Sequence, residues 1–319
     1  MTAFRNTIAA LCATLALGGI HAAHAAGAPA ADAAPAPNRF AATIAPAERF
    51  EVGGVLVERH GSGGRPLILI PGLASGSWVW QDTIRAFAPD HAVYVLTLPG
   101  FDGRPPAGPA PFASARAAVE ELIASRHLDK PVLVGHSLGG ILALAVAEDQ
   151  PAAPGGVVSI DGLPVMPGAE DMTPGQRAQF ADKTRAQVAR QPAALYARQQ
   201  QAYMRTIGVL DMSRADALAQ LTARSDPASV GLWSADVLTL DLRPALKTIQ
   251  APVLTIVPYF DLDSAQQGLT PAAKADYYRA LMEGTPKLQV VTVAPARHFA
   301  MFDQPQAVTA AIRTFLDTL

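Results

Sequence analysis

Short, dense apolar runs recur along the chain. Pro66–Ile70, His91–Leu98, Val132–Val134, Gly156–Ile160, Val253–Val257 and Leu288–Val293 are built largely from Val, Ile and Leu. Runs of this kind suit strands covered on both faces. An earlier pair, within Arg49–His60, places Phe50, Val52, Val55 and Val57 around Gly53-Gly54 and predicts an opening hairpin. Between the runs, Trp78–Ala88, Phe112–His127, Pro244–Ile249, Pro271–Glu283 and Gln304–Leu319 read as helices. In the last of these, Val308, Ile312, Phe315, Leu316 and Leu319 form one apolar stripe, with Asp303 as the expected N-cap and Pro305 in the first turn. Strand and helix in alternation predict a mostly parallel sheet with helices on both faces.

The alternation stops between Leu163 and Leu242. Thr173–Arg190, Pro192–Ile207, Ser213–Ala223 and Pro227–Leu240 read as four successive helices with no strand among them. Residues 163–242 are therefore expected to form a helical lid inserted into a core made of 48–162 and 243–319. Residues 26–47 are rich in Ala and Pro, with few large apolar side chains, and read as a flexible leader. Residues 1–25 carry Arg5, an apolar segment from Ile8 to Ile20 and an Ala23-His24-Ala25 cleavage pattern. This is the pattern of a secretory signal peptide, and the apolar segment is shorter than the roughly 20 residues a membrane span needs. An exported protein, periplasmic or secreted and without a stable membrane anchor, is the expectation.

Composition narrows the chemistry. Half of the 319 residues are hydrophobic, enough for one large core, and the net charge is −2. No basic run stands out, so nucleic acid is not an expected partner. The only cysteine, Cys12, lies in the expected signal peptide. The mature chain would then hold no disulfide, thiol nucleophile or thiolate metal site. No metal-ligand cluster or phosphate-binding loop appears, and no cofactor is implied.

The chemistry centres on Gly135-His136-Ser137-Leu138-Gly139-Gly140. A strand precedes this G-x-S-x-G pattern, and the helical segment that follows is apolar on every side from Ile141 to Ala147. Strand, tight turn and helix make it a nucleophile elbow, in which the serine is held on a strained backbone and its neighbours must be small. A serine hydroxyl attacks only if a base takes its proton.

With Pro71-Gly72-Leu73 after the first parallel strand, the elbow at 135–140 and Arg297-His298-Phe299 after the last, the chain resembles the lid-bearing serine hydrolases of the α/β-hydrolase superfamily over residues 48–319. The resemblance implies the α/β-hydrolase fold and a Ser-His-Asp triad with Ser137 as nucleophile and His298 as base. It also implies an oxyanion hole made by the main-chain N–H groups of Leu73 and Leu138. The acid usually follows the strand at Val253–Val257, where Pro252-Val253-Leu254-Thr255-Ile256-Val257-Pro258-Tyr259-Phe260-Asp261 matches the superfamily pattern except at Pro258, normally glycine. Asp261 is the first choice, with Asp161 and Asp263 as alternatives. Trp78 and the lid residues Phe180, Tyr196, Tyr203, Met204, Met212 and Trp233 are candidates for the pocket wall. The implied activity is carboxylesterase-like hydrolysis of a small-molecule ester, thioester or lactone. Proline-releasing aminopeptidase or carbon–carbon hydrolase chemistry on the same triad is the alternative, and a non-catalytic binding protein on this fold is a third reading.

Overall fold

The apolar runs form strands of one sheet in the computed structural model, which describes residues 38–265 and 268–319. The expected signal peptide, and the leader up to residue 37, lie outside the described residues. The strands are β1 (Glu48–Val52), β2 (Val55–His60), β3 (Leu67–Ile70), β4 (Val93–Thr97), β5 (Val132–His136), β6 (Gly156–Ile160), β7 (Val253–Pro258) and β8 (Leu288–Val293). They lie side by side in the order β1-β2-β4-β3-β5-β6-β7-β8. β1 pairs with β2, and β2 with β4, in antiparallel sense; every later pairing is parallel.

Alternation along β3 shows why these strands are apolar throughout. Ile68 and Ile70 enter the core on one face of the sheet, and Leu67 and Leu69 enter the core on the other. Helices α2 (Pro111–Ser125) and α3 (Leu138–Asp149) cover the first face, with Val119, Leu122, Leu142 and Val146. Helices α1 (Gln81–Phe87) and α11 (Pro305–Leu316) cover the second, with Ile84, Phe87, Val308, Ile312 and Phe315. Both faces are therefore buried, as a parallel sheet requires.

Between β6 and β7 the chain folds into α4 (Pro174–Ala189), α5 (Ala193–Tyr203), α6 (Met212–Thr222) and α7 (Pro227–Thr239). The two ends of this segment meet, because Val165 bridges Asp241 and the Leu242 N–H donates to Pro164 O at 2.8 Å. α5 does not run on to Ile207; a π turn at Met204–Gly208 ends it. After β7 come α8 (Asp261–Ala265) and α9 (Pro271–Leu281), and α10 (Ala300–Asp303) precedes α11.

Three local expectations change. Pro244–Ile249 is only a 3₁₀ turn at Leu246–Thr248, anchored by buried Leu246. Asp303 does not cap the last helix; its carboxylate accepts the N–H groups of Arg297 and Leu210 at 2.9 and 3.0 Å. The end of the Ala/Pro-rich segment is held in place. Phe40 packs edge-on against Phe302 at 5.6 Å, Asn38 donates to Ala217 O at 2.6 Å, and the Ile44 N–H donates to Gln81 Oε1 at 2.7 Å.

Candidate active site

The loops that leave β3, β5, β6, β7 and β8 at their carboxyl ends carry all the candidate site residues. In sheets of this kind that edge forms the ligand crevice. Between β5 and α3, Ser137 has φ 52° and ψ −119°. A side chain at positive φ is strained, and the strain persists only where the surroundings impose it. Here close packing of main chain does so. A Cβ on Gly135 would lie 2.0 Å from Gly139 O, and one on Gly139 would lie 2.1 Å from Ile70 O. The Ser137 N–H donates to Ile160 O at 2.8 Å, and the Ile141 N–H donates to Ser137 O at 3.1 Å. Leu138 opens α3, where a main-chain N–H has no acceptor within the helix and the dipole favours negative charge.

The loop after β3 passes directly beside the elbow. A Cβ on Gly72 would stand 3.2 Å from Ser137 Cβ, and the next residue, Leu73, lines the same cavity as Ser137 and Leu138. The turn is closed by the Ser75 N–H donating to Gly72 O at 3.2 Å. Leu73 and Leu138 thus lie on the two main-chain segments that flank Ser137.

His298 is fixed from three sides. Its Nδ1–H donates to Asp161 Oδ2 at 2.5 Å, which leaves Nε2 with a lone pair. The N–H groups of His298 and Phe299 donate to the carbonyls of Ile207 and Gly208 in the π turn, at 3.1 and 2.9 Å. The His136 Nε2–H donates to His298 O at 3.0 Å, with the two rings 4.6 Å apart. Burial pushes the pKa of His136 down to about 3, and the neighbouring His298 adds to the effect. His136 therefore stays neutral and acts as a prop for the His298 loop, a role its place in the elbow did not signal.

Asp161 follows β6, with its N–H donating to Ile256 O at 3.0 Å. Oδ2 meets His298, and Oδ1 accepts the hydroxyl of Tyr278 from α9. Burial acts to raise the pKa of this carboxyl, but His298, Lys274 and the Tyr278 hydrogen bond outweigh it and hold it down to about 2. Lys274 lies one turn before Tyr278 on α9. It is half-buried, and its ammonium donates to Pro258 O at 2.6 Å.

The carboxylate at His298 is thus that of Asp161, and Asp261 is corrected. β7 ends at Pro258 and a helix starts at once, so Asp261 becomes the exposed first residue of α8. Asp263 is engaged elsewhere, in a two-pronged ion pair with Arg297 at 2.7 and 2.9 Å.

Ser137, His298 and Asp161 line one cavity of about 400 Å³, roofed by the inserted helices. Of the pocket candidates, Phe180, Tyr203 and Met204 line it, joined by Leu163, Val165, Met166, Val237 and Leu238. The others pack elsewhere. Trp78 stacks on Phe302 at 6.1 Å, Trp233 donates to Pro99 O at 3.0 Å, Tyr196 is buried, and Met212 is exposed. The inserted carboxylates also have other partners. Asp182 and Asp216 pair with Arg185 and Arg205, Asp211 and Asp226 cap α6 and α7, and Asp236 accepts the Phe112 N–H.

The elbow, the parallel sheet and the inserted helices define the class. The model of the alpha/beta hydrolase family matches residues 67–312, and the chain belongs to that family. Its relatives include the biotin biosynthesis bifunctional protein BioHC of Cellvibrio japonicus, 27% identical over 264 residues, 79% of this chain but only 48% of that protein. The pimeloyl-[acyl-carrier protein] methyl ester esterase of Edwardsiella ictaluri is 26% identical over 266 residues, 81% of this chain and 95% of that enzyme. Among solved structures, a thermophilic esterase from Thermogutta terrifontis superposes with a TM-score of 0.69 at 21% identity, covering 85% of this chain and 99% of that one. The enol-lactonase from Burkholderia xenovorans gives a TM-score of 0.65 at 19% identity, covering 85% and 100%.

Proposed function

We propose that this chain is a carboxylesterase-like serine hydrolase with Ser137 as nucleophile, His298 as base and Asp161 as acid. One observation carries the reading. A serine at a positive-φ elbow and a histidine whose Nδ1 is held by a buried carboxylate at 2.5 Å open into one largely apolar cavity. The relatives named for ester hydrolysis support the reaction class.

In this reading each group has a task. Asp161 keeps the ring proton on Nδ1, so Nε2 accepts the Ser137 proton as Oγ attacks the ester carbonyl. The oxyanion that forms is held by the N–H groups of Leu138, at the positive end of α3, and Leu73; one such donor is worth ~3 kcal/mol in the transition state. The imidazolium then protonates the departing alcohol, which leaves an acyl group on Ser137. Water attacks that acyl carbon, gives a proton to Nε2, and releases the acid with Ser137 restored. The inserted helices act as a lid that keeps bulk water from the acyl-enzyme.

A fluorophosphonate probe tests the class. Adduct formation mapped to Ser137, lost in Ser137→Ala and accompanied by hydrolysis of p-nitrophenyl esters, is the expected result. Folded protein that takes no label at Ser137 overturns the proposal. The pattern of residues 1–25 supports export as well; cell fractionation with N-terminal sequencing of the processed chain checks it, cleavage after Ala25 being expected.

A further inference from the structure

The polar side chains that the lid turns toward the cavity fall into two groups. Thr222 and Ser234 satisfy themselves on their own helices, donating to Ala219 O at 3.1 Å and to Val230 O at 2.8 Å. Thr184 on α4 and Gln200 on α5 do not. Each also lines the cavity and each is 4% exposed. The Thr184 hydroxyl makes no hydrogen bond, although a helical threonine ordinarily has the carbonyl of the preceding turn within reach. The Gln200 amide makes none either among the described residues. A buried polar group left unpaired costs about 1–3 kcal/mol, so the Thr184 hydroxyl, with the Gln200 amide lining the same cavity, calls for a partner that arrives with the ligand.

The surroundings say which kind of partner. The charged side chains lining the cavity are Asp161, Asp263, Lys274 and Arg297, all from core segments. No lid residue lining it is charged, and Met166, Phe180, Val237 and Leu238 supply apolar surface. A hydroxyl and a primary amide both donate and accept without charge. They match a neutral group that does the same, such as a carboxamide or hydroxyl.

We propose that the substrate is a bifunctional ester, with its scissile carbonyl at Ser137 and a neutral hydrogen-bonding group at the far end of an apolar arm, received by Thr184 and Gln200. The inference rests on the ester-hydrolase reading and adds the chemistry of the arm. A site built to pair such a group rejects its hydrocarbon isostere, because the protein's own polar groups are then stranded in apolar surroundings.

The test uses paired esters over a series of chain lengths, one member ending in a carboxamide and the other in an isosteric isopropyl group. The arm is placed on the acyl side in one set and on the alcohol side in another. At the matching length the carboxamide ester is expected to be favoured in kcat/KM by about tenfold or more. In Thr184→Val and Gln200→Leu that ratio falls several-fold, and in the double variant it approaches one. Absence of any preference at every length in both sets overturns the proposal, as does a preference that survives the double substitution. Thermal-shift titration of Ser137→Ala with the same esters reads binding without turnover. Stronger stabilisation by the carboxamide member, lost in Thr184→Val, supports the site even if no ester is hydrolysed, whereas equal stabilisation by both members refutes it. Failure of Ser137 to label refutes the ester-hydrolase reading separately.

Discussion

Replacing Asp161 by asparagine separates Asp161 from Asp261 as the acid of the triad. When His298 takes the serine proton it becomes a cation beside the Asp161 carboxylate, with N and O 2.5 Å apart. Two unit charges about 4 Å apart in a medium of effective dielectric about 20 attract by about 4 kcal/mol, or roughly 10³ in rate. Asparagine removes that charge, and Tyr278 adds a second penalty. Its hydroxyl donates to Oδ1, so an asparagine is expected to place its oxygen there and turn its NH₂ toward His298 Nδ1. The ring must then accept at Nδ1 and carry its proton on Nε2, the tautomer that cannot receive a proton from Ser137.

We expect Asp161→Asn to lower kcat for p-nitrophenyl butyrate by about 10³ to 10⁴ with little change in KM. Asp261→Asn, at an exposed helix start, should stay within about twofold of wild type. Removing the Tyr278 hydroxyl as well frees the amide to turn over and present its oxygen to Nδ1–H. Asp161→Asn/Tyr278→Phe should therefore be about tenfold more active than Asp161→Asn alone, a coupling of opposite sign to simple accumulated damage. Stopped-flow hydrolysis with fluorophosphonate labelling rates reads both effects. The reasoning fails if Asp161→Asn keeps a tenth of wild-type kcat, or if Asp261→Asn matches its loss.

Two further predictions concern stability. In Gly139→Ala the new Cβ meets main-chain oxygens, Ile70 O at 2.1 Å and Pro71 O at 2.8 Å, which no rotamer relieves. Urea unfolding should show a loss of more than ~3 kcal/mol, whereas Gly175→Ala, with open space around it, changes stability by about 1 kcal/mol or less. His136 stays neutral to about pH 3 in the folded chain but takes a proton near pH 6.5 when unfolded. The unfolded chain binds more protons across that window, so His136 adds stability as pH rises through it and withdraws stability as pH falls. The unfolding free energy of wild type minus that of His136→Gln should grow by up to ~1.4 kcal/mol per pH unit between about pH 4 and 6. A flat difference contradicts the assignment.

Much of this architecture was legible because the physics that selects it is local. A strand buried on both faces needs an unbroken apolar run, and Leu67–Ile70 can hardly be anything else. The elbow was legible because two main-chain segments pass within contact of Gly135 and Gly139, and only glycine fits. His298 followed from the resemblance, which places the histidine after the last strand. The acid was not legible, because Asp161-Gly162 after β6 and Asp261 after β7 are alike as strand-end aspartates. What distinguishes them is tertiary: the Tyr278 hydroxyl, 117 residues along the chain, and a helix that begins directly after Pro258-Tyr259-Phe260. Asp303 misled for a related reason. It stands where an N-cap belongs, yet the Arg297 and Leu210 N–H groups, brought there by the fold, claim its oxygens. The π turn at Met204–Gly208 left no mark in the hydrophobic pattern, which reads the same through a helix as through a one-residue bulge.

With Asp161 on β6 meeting His298, the loop after β7 is free for another task. Asp263 grips Arg297, and the same guanidinium donates to Arg205 O at 2.8 Å within the π turn and to Val209 O at 3.2 Å directly after it. His298 and Phe299 add their N–H bonds to Ile207 and Gly208. The inserted segment and the loop that holds the histidine are therefore one hydrogen-bonded body at this point. Lifting the π turn would break these bonds and displace the imidazole from Ser137. Elsewhere in the inserted segment α4 and α7 pack on each other, and Val165 bridges Asp241 where the two ends of the segment meet. With Asp161 as the proposed acid, the loop after β7 instead ties the inserted segment to the loop that carries His298.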